Sequence, residues 1–356
     1  MEQTPFRIAL LAAAFIGVLT LSTFALQGAD QIYKGDPQSF RLVAEDPFGD
    51  GHLILEDADV HDQGVAYRYG RILVPLVGWV MAGAQADLVV WTLPLVGILG
   101  FAVSAFLAAR LCRMAGKPAD RGFLVVAVPT MITSTVLVYS EPVAIALLLG
   151  VYVSYLEDRR RLAVGLALFL PLAREAYLVG LLPLAFAELR RLSLRHTATV
   201  GAVVVTPYLA WLVWVRGRVG DWTFTDPSTS RTDAVGLPGV SLVEAIGDAD
   251  GEPAVIVGAL LVACLGLAGF VVAVVLLRRM KRDRLLLWAL LGFAVLGLMV
   301  GPQGYRFSGD GLRVLLPGHL LLALIAARNL GNKEGDAVEN VPAGTFSAPV
   351  GVTPDQ

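Results

Sequence analysis

The sequence predicts an all-α, polytopic transmembrane protein of about ten crossings, with one long outer loop after the first helix. Three observations carry this. The 356 residues are 56% hydrophobic and only 16% charged, where a soluble domain carries about 25% charged residues. The mean hydropathy is +0.68. The apolar residues fall in runs, and Lys and Arg collect in every second connection between them. The net charge of -2 says nothing about partners, because the charge is segregated by loop.

The first run, residues 7–26, reads as an uncleaved membrane helix, with a signal peptide as the alternative. At about 19 residues it is longer than the 7–15 of a signal-peptide apolar region. Further runs lie near 87–110, 122–138, 142–156, 161–172, 175–188, 197–215, 254–277, 285–301 and 313–328. Several are shorter than the ~20 residues that cross the hydrocarbon. Either they form tilted re-entrant pairs, or their helices extend through polar residues such as Glu141 and Arg174. Segment 71–84 is apolar but short and is expected in or near the outer interface.

One set of connections carries Arg110, Arg113, Lys117 and Arg121, then Arg159–Arg161, then Arg190, Arg191 and Arg195, then Arg278, Arg279, Lys281, Arg282 and Arg284. The alternate set, 27–70, 139–142, 172–175, 216–253 and 302–312, is acidic or mixed. The positive-inside rule puts the first set in the cytoplasm. Both termini are then cytoplasmic and loop 27–70 is outside. The membrane domain spans 1–330. Residues 331–356, rich in Gly, Pro, Asn and Asp with no apolar period, read as a disordered cytoplasmic tail. Cys112 and Cys264 have no metal-type spacing and read as small core residues.

Loop 27–70 holds nine acidic residues: Asp30, Asp36, Glu45, Asp46, Asp50, Glu56, Asp57, Asp59 and Asp62. Phe40, Val43 and Ala44 are spaced for one face of a short helix with Asp36 near its N-terminus. Backbone N–H groups support a carboxylate there, and Asp36 is equally a plain cap followed by Pro37. Glu45 and Asp46 are adjacent, so on a helix they do not face one site together. Asp57, Asp59 and Asp62, with His52 and His61, offer ligands for a divalent cation, but their spacing matches no known metal loop; a solvated acidic surface is the alternative.

Four further places hold charge between or beside apolar runs. Glu141 follows Tyr139-Ser140 and precedes Pro142; Arg174-Glu175 separates two runs. A charge at membrane depth costs about 2.5–3.5 kcal/mol on insertion scales, which makes such residues functional candidates; snorkelling in the interface is the alternative. Arg68 and Arg71 close the acidic loop, and Arg306 and Arg313 flank the last run. Guanidinium binds phosphate bidentately, and headgroup anchoring is the alternative for each. Loop 216–253, with Trp222 and Phe224, is long enough to cover a site. Among the motifs absent are a P-loop, a Gly-x-Ser-x-Gly elbow and a zinc helix. Nothing points to nucleic acid.

Taken in order, these features resemble the GT-C superfamily of polytopic glycosyltransferases. The likeness rests on one helix followed by Lys34-Gly35-Asp36-Pro37-Gln38-Ser39-Phe40 and on Tyr67-Arg68-Tyr69-Gly70-Arg71-Ile72-Leu73-Val74-Pro75-Leu76. It continues in the turns Ser140-Glu141-Pro142 and Ala173-Arg174-Glu175 and in Arg313-Val314-Leu315-Leu316-Pro317. Many members carry two adjacent acids soon after the first helix; here Asp36 stands alone and the pair Glu45-Asp46 follows later. The resemblance implies a donor sugar on polyprenyl phosphate, a glycan, lipid or protein acceptor, and hexosyl or pentosyl transfer with inversion on the outer face. Asp36, Glu45 or Asp46 would be the general base, Arg174, Arg306 or Arg313 would meet the leaving phosphate, and Arg68, Arg71, Glu141 and Glu175 would line the site. A divalent cation stays open. The rival readings are a transporter or lipid flippase, with paired broken helices, and a non-catalytic scaffold.

Overall fold

The computed structural model describes residues 4–33, 36–57, 65–222, 240–247, 249, 252–280, 283–299 and 308–329, with backbone only at 30, 31, 36 and 308–311. Among these residues every regular element is a helix. The chain opens with α1 (Pro5–Gln27), then the short α2 (Ala29–Ile32), α3 (Asp36–Glu45), α4 (His52–Glu56), α5 (Val65–Tyr69) and α6 (Leu73–Met81). Next come α7 (Ala86–Met114), α8 (Arg121–Val126), α9 (Pro129–Val136), α10 (Glu141–Leu156) and α11 (Arg160–Arg174). A 3₁₀ segment, Glu175–Leu181, leads into α12 (Leu182–Arg191), followed by α13 (Leu194–Val219) and α14 (Val240–Gly247). The last helices are α15 (Pro253–Arg279), α16 (Arg284–Leu298) and α17 (Ser308–Asn329).

Among the described residues six helical stretches are long and apolar enough to cross a membrane: Pro5–Gln27, Ala86–Met114, Arg160–Arg191, Leu194–Val219, Pro253–Arg279 and Leu312–Asn329. The third is not one rod. Arg174 is extended (φ -163, ψ 112), and the chain doubles back there. Tyr155 Oη donates to Glu188 Oε1 at 2.8 Å and Arg160 pairs with the same carboxylate, so Glu188 returns to the level at which α11 began. Tyr152 Oη donates to Gly180 O at 2.8 Å, tying the returning arm to α10. The polar positions Glu141 and Arg174 are therefore built into helix ends, Glu141 at the start of α10 and Arg174 at the close of α11.

Hydrogen bonds define two ends of the bundle. At one end Arg110 pairs with Glu157, Arg121 Nη1 donates to Ala327 O at 2.8 Å, and Arg328 bridges Leu111 O (2.9 Å) and Asp283 Oδ1 (2.6 Å). This arginine end joins the close of α7 and α17 to the start of α16. The other end carries α2–α6. Here Arg218 Nη2 donates to Phe48 O at 3.1 Å and Trp211 Nε1 to Tyr69 O at 2.7 Å. Phe48 meets Trp79, Trp211 and Trp214 edge-on. The described residues of loop 27–70 thus form a cap of short helices clamped to α13.

The centre is built from α7, α10, α11, α16 and α17, with Phe101, Leu149, Tyr152, Leu287, Phe293 and Leu324 among its fully buried side chains. In a lipid solvent helices associate through close packing, which small residues permit. Ala105, Ala108 and Ala109 supply that face on α7. A Cβ on Gly122 would lie 2.3 Å from the Ala109 backbone N and one on Gly100 2.9 Å from the Val143 N. Backbone cannot yield as a flexible side chain does. Gly122→Ala is expected to part α8 from α7 and cost about 1–3 kcal/mol, read as a lowered thermal-unfolding midpoint in detergent; an unchanged midpoint contradicts the contact.

Candidate functional site

α3 forms where its spacing predicts. Phe40, Val43 and Ala44 are all at most 1% exposed, and Asp36 is its first residue; the Asp36 side chain lies outside the described residues. Glu45 is engaged by Arg41 Nε at 2.7 Å within the same helix. Asp46 lies in the turn after α3, where its backbone O accepts from Tyr69 Oη at 2.8 Å and its carboxylate packs where a Cβ on Gly49 would sit. Burial raises the Tyr33 and Tyr69 hydroxyls above the ordinary phenol range. Both stay protonated donors, Tyr33 to Val90 O at 2.9 Å.

The cap closes at Tyr67-Arg68-Tyr69-Gly70-Arg71, and here the charges begin to meet. Arg71, 7% exposed, donates to both carboxylate oxygens of Glu175, Nη2 to Oε1 at 2.9 Å and Nε to Oε2 at 3.2 Å. Its guanidinium lies 4.5 Å from the Tyr67 ring centre and donates to the Tyr67 hydroxyl. The Arg68 guanidinium lies 5.3 Å from the centre of the same ring. Glu175 belongs to the break that follows α11. Its chain neighbour Arg174 turns to a different partner, the fully buried Glu141. Consecutive residues on a continuous helix are about 100° apart (3.6 per turn); the extended Arg174 lets two neighbours meet two separate partners, Arg174 the Glu141 carboxylate and Glu175 the Arg71 guanidinium.

Glu141 holds a second arginine. Arg313 Nε donates to Glu141 Oε1 at 2.7 Å, the same oxygen that accepts from Arg174 Nη1. The Arg313 guanidinium also lies 3.6 Å from the centre of the Tyr139 ring, close enough for a cation–π contact. The turn that aims Tyr139 and Glu141 is strained. Val138 has φ 58, a left-handed conformation that a β-branched residue rarely takes. Tyr139 N donates to Ser134 O at 2.9 Å and Val138 N to Thr135 O at 3.2 Å. That is a helix C-terminal motif usually closed by glycine.

The result is one chain of contacts, Tyr67–Arg71–Glu175, then Arg174–Glu141–Arg313–Tyr139, in which Arg71, Arg174, Glu141 and Arg313 are buried and Tyr67, Glu175 and Tyr139 half-buried, drawn from α5 and the turn after it, the α9–α10 turn, the α11 break and α17. Among the described residues Arg174 has one hydrogen-bond partner, an oxygen it shares; a guanidinium carries five N–H donors. Such a group binds an oxyanion with its remaining fork. Of the residues singled out from sequence, Arg71, Arg174, Glu175, Glu141 and Arg313 come together here. Arg306, Asp59, Asp62 and His61 lie outside the described residues. Asp57 accepts from Gln38 Nε2 at 3.0 Å. No group of three or more His, Cys, Asp or Glu able to hold a metal occurs among the described residues. Cys112 is buried and Cys264 exposed, both free. Sequence reasoning assigned no role to Tyr67, Tyr139 or Tyr177. The Tyr139-Ser140-Glu141 adjacency was the available signal for the second. Tyr177, 1% exposed, packs edge-on to Phe293, and its hydroxyl has no hydrogen-bond partner among the described residues.

No family model matches the chain, and no curated protein or solved structure matches it either. Fold and site define its class: an all-helical membrane protein with a buried arginine–carboxylate network under a cap of short helices.

Two predictions follow from this geometry. Glu175→Gln leaves the Arg71 guanidinium buried beside a neutral partner, an expected loss of about 2 kcal/mol in detergent unfolding, not additive with Arg71→Gln. In the exposed cap, the Asp50 carboxylate 2.8 Å from His52 Nδ1 raises the imidazole pKa and lowers its own. The pair's stabilisation is complete between the unfolded carboxylate value, about 3.9, and the unfolded imidazole value, about 6.5; it is lost as pH rises through the raised folded value of His52 or falls through the lowered one of Asp50. NMR titration of His52 should give an elevated midpoint that Asp50→Asn brings back.

Proposed function

We propose that the protein is a membrane glycosyltransferase that moves a sugar from a polyprenyl-phosphate donor to an acceptor hydroxyl at the cap end of the bundle, with inversion. The observation that carries this reading is the Arg174 guanidinium, 6% exposed and committed to one shared oxygen, flanked by Arg71 and Arg313. A leaving phosphate needs preorganised positive charge. A lipid-borne donor brings that phosphate to a bundle end, where these residues stand.

The topology that goes with this reading has ten traverses: α1, α7, α8–α9, α10, α11, the returning 3₁₀–α12 arm, α13, α15, α16 and α17. The first starts and the last finishes at the arginine end. By the positive-inside rule that end is cytoplasmic and the cap is outside. A cap after the first helix is the order that the GT-C reading expects, and it supports that reading.

In the transfer step a carboxylate takes the proton of the acceptor O–H. The acceptor oxygen forms a bond to the anomeric carbon as the carbon–oxygen bond to phosphate breaks, and the phosphate leaves with the electron pair. Asp36 is the first choice for the base, because it opens α3 where backbone N–H groups favour an ionised carboxylate. Glu45 is already held by Arg41, and Asp46 faces its own turn. Arg71, Arg174 and Arg313 hold the phosphate.

The test is transfer of radiolabelled sugar from a polyprenyl-phosphate donor by purified protein. Asp36→Asn should reduce turnover at least a hundredfold with the unfolding midpoint kept, and Glu45→Gln should retain most of it. Full activity in Asp36→Asn removes that residue from the role. Movement of the sugar lipid across proteoliposomes with no transfer at all favours the carrier reading instead.

A further inference from the structure

We infer that Glu141 is the positioning residue of this site: through one carboxylate oxygen it sets the Arg174 and Arg313 guanidiniums in the orientation that takes a phosphate, without touching the ligand itself. The inference rests on the transferase reading only in the choice of phosphate as the anion.

Both arginines donate to Oε1. Oε2 is sealed and has no hydrogen-bond partner among the described residues. With the whole side chain 0% exposed, no ligand reaches it. A buried carboxylate with a bare oxygen is costly, so its remaining contacts must justify its position, and these are the two guanidiniums.

The backbone around Glu141 is over-determined. Val138 holds a left-handed conformation at 1% exposure; such conformations cost about 1–3 kcal/mol and persist only where the surroundings enforce them. Pro142, the second residue of α10, has a fixed φ. Ser104 Oγ on α7 donates to Pro142 O at 3.3 Å. Gly100 brings the α7 surface against the Pro142–Val143 backbone with no space for a Cβ. The backbone that carries Glu141 is therefore fixed, and its carboxylate is presented from one place. Tyr139, two residues earlier in the same turn, supplies the face on which Arg313 lies. One turn thus fixes Arg313 twice and Arg174 once.

The sign of the effect separates positioning from simple charge balance. Removing a negative charge beside two guanidiniums makes the site more positive, so charge alone predicts tighter anion binding. Loss of positioning predicts weaker binding. The probe is dodecyl phosphate, titrated onto the full-length protein in detergent, with inorganic phosphate as a second arm that distinguishes a lipid headgroup from the free anion. Glu141→Gln is expected to raise the dodecyl phosphate Kd at least tenfold. Arg313→Lys, which keeps the charge and loses the Nε contact, should do the same, and the double variant should lose no more than the weaker single variant. An unchanged or lowered Kd in Glu141→Gln, or additive losses, overturns the inference. If Glu141→Gln fails to fold, Arg313→Lys decides: a Kd within twofold of wild type overturns it. A wild-type protein that binds neither phosphate also overturns it. Wild type that binds dodecyl phosphate yet transfers no sugar overturns the transferase reading and leaves Glu141 in this role.

Discussion

The burial of Glu141 constrains the rest of the molecule. An ionised carboxylate in an apolar bundle is tolerated only when paired and hydrogen-bonded, and its partners come from two distant segments, α11 and α17. To deliver Arg174, α11 has to stop at that residue; to deliver Arg313, α17 has to begin beside the α9–α10 turn. The turn itself takes up a left-handed Val138 to present Tyr139 and Glu141 on the correct side. The reversal at Arg174 then frees Glu175 to face the cap and hold Arg71. Helix lengths that look too short for crossing are the consequence of this convergence.

Pairs of this kind are poor stabilisers. A well-packed apolar replacement is often as stable or more so, while removal of one partner alone is strongly destabilising. A bundle gains little stability from housing Arg71, Glu175, Arg174, Glu141 and Arg313, so their presence bears on what the site holds. Charges at membrane depth are functional candidates for the same reason. The aromatic neighbours Tyr67 and Tyr139 add flat faces on which guanidiniums rest, which keeps the planar fork oriented without another carboxylate to neutralise it.

The acidic loop is less a free loop than a second small layer. α3 buries Phe40, Val43 and Ala44 and lies against α6 and α7. The Phe48 turn is pinned by Trp211, Trp214 and Arg218 of α13. Much of the loop's acidity is local, with Glu45 on Arg41 and Asp50 on His52. Its link to the arginine–carboxylate network runs through its closing residues, Tyr67 and Arg71.

Much of the scaffold was legible in the order of residues. Composition and apolar runs read as membrane helices because partition into lipid depends on local hydropathy. The α3 face could be drawn from three residues because helical spacing is a local rule. Arg71, Glu141, Arg174, Glu175 and Arg313 could be marked because a charge between apolar runs is conspicuous in one dimension. Which charge meets which was not legible. Arg71 and Glu175 are 104 residues apart, and Glu141 and Arg313 are 172 apart; a pairing at that separation is set by helix packing and not by spacing. The left-handed Val138, the shared Glu141 oxygen and the ring beneath Arg313 belong to the tertiary structure for the same reason. The sequence by itself determined the solvent of this chain, its helical order and the cast of charged residues. Only the folded bundle, which must pair every charge it buries, decided that five of them form one network and that Glu141 stands at its centre.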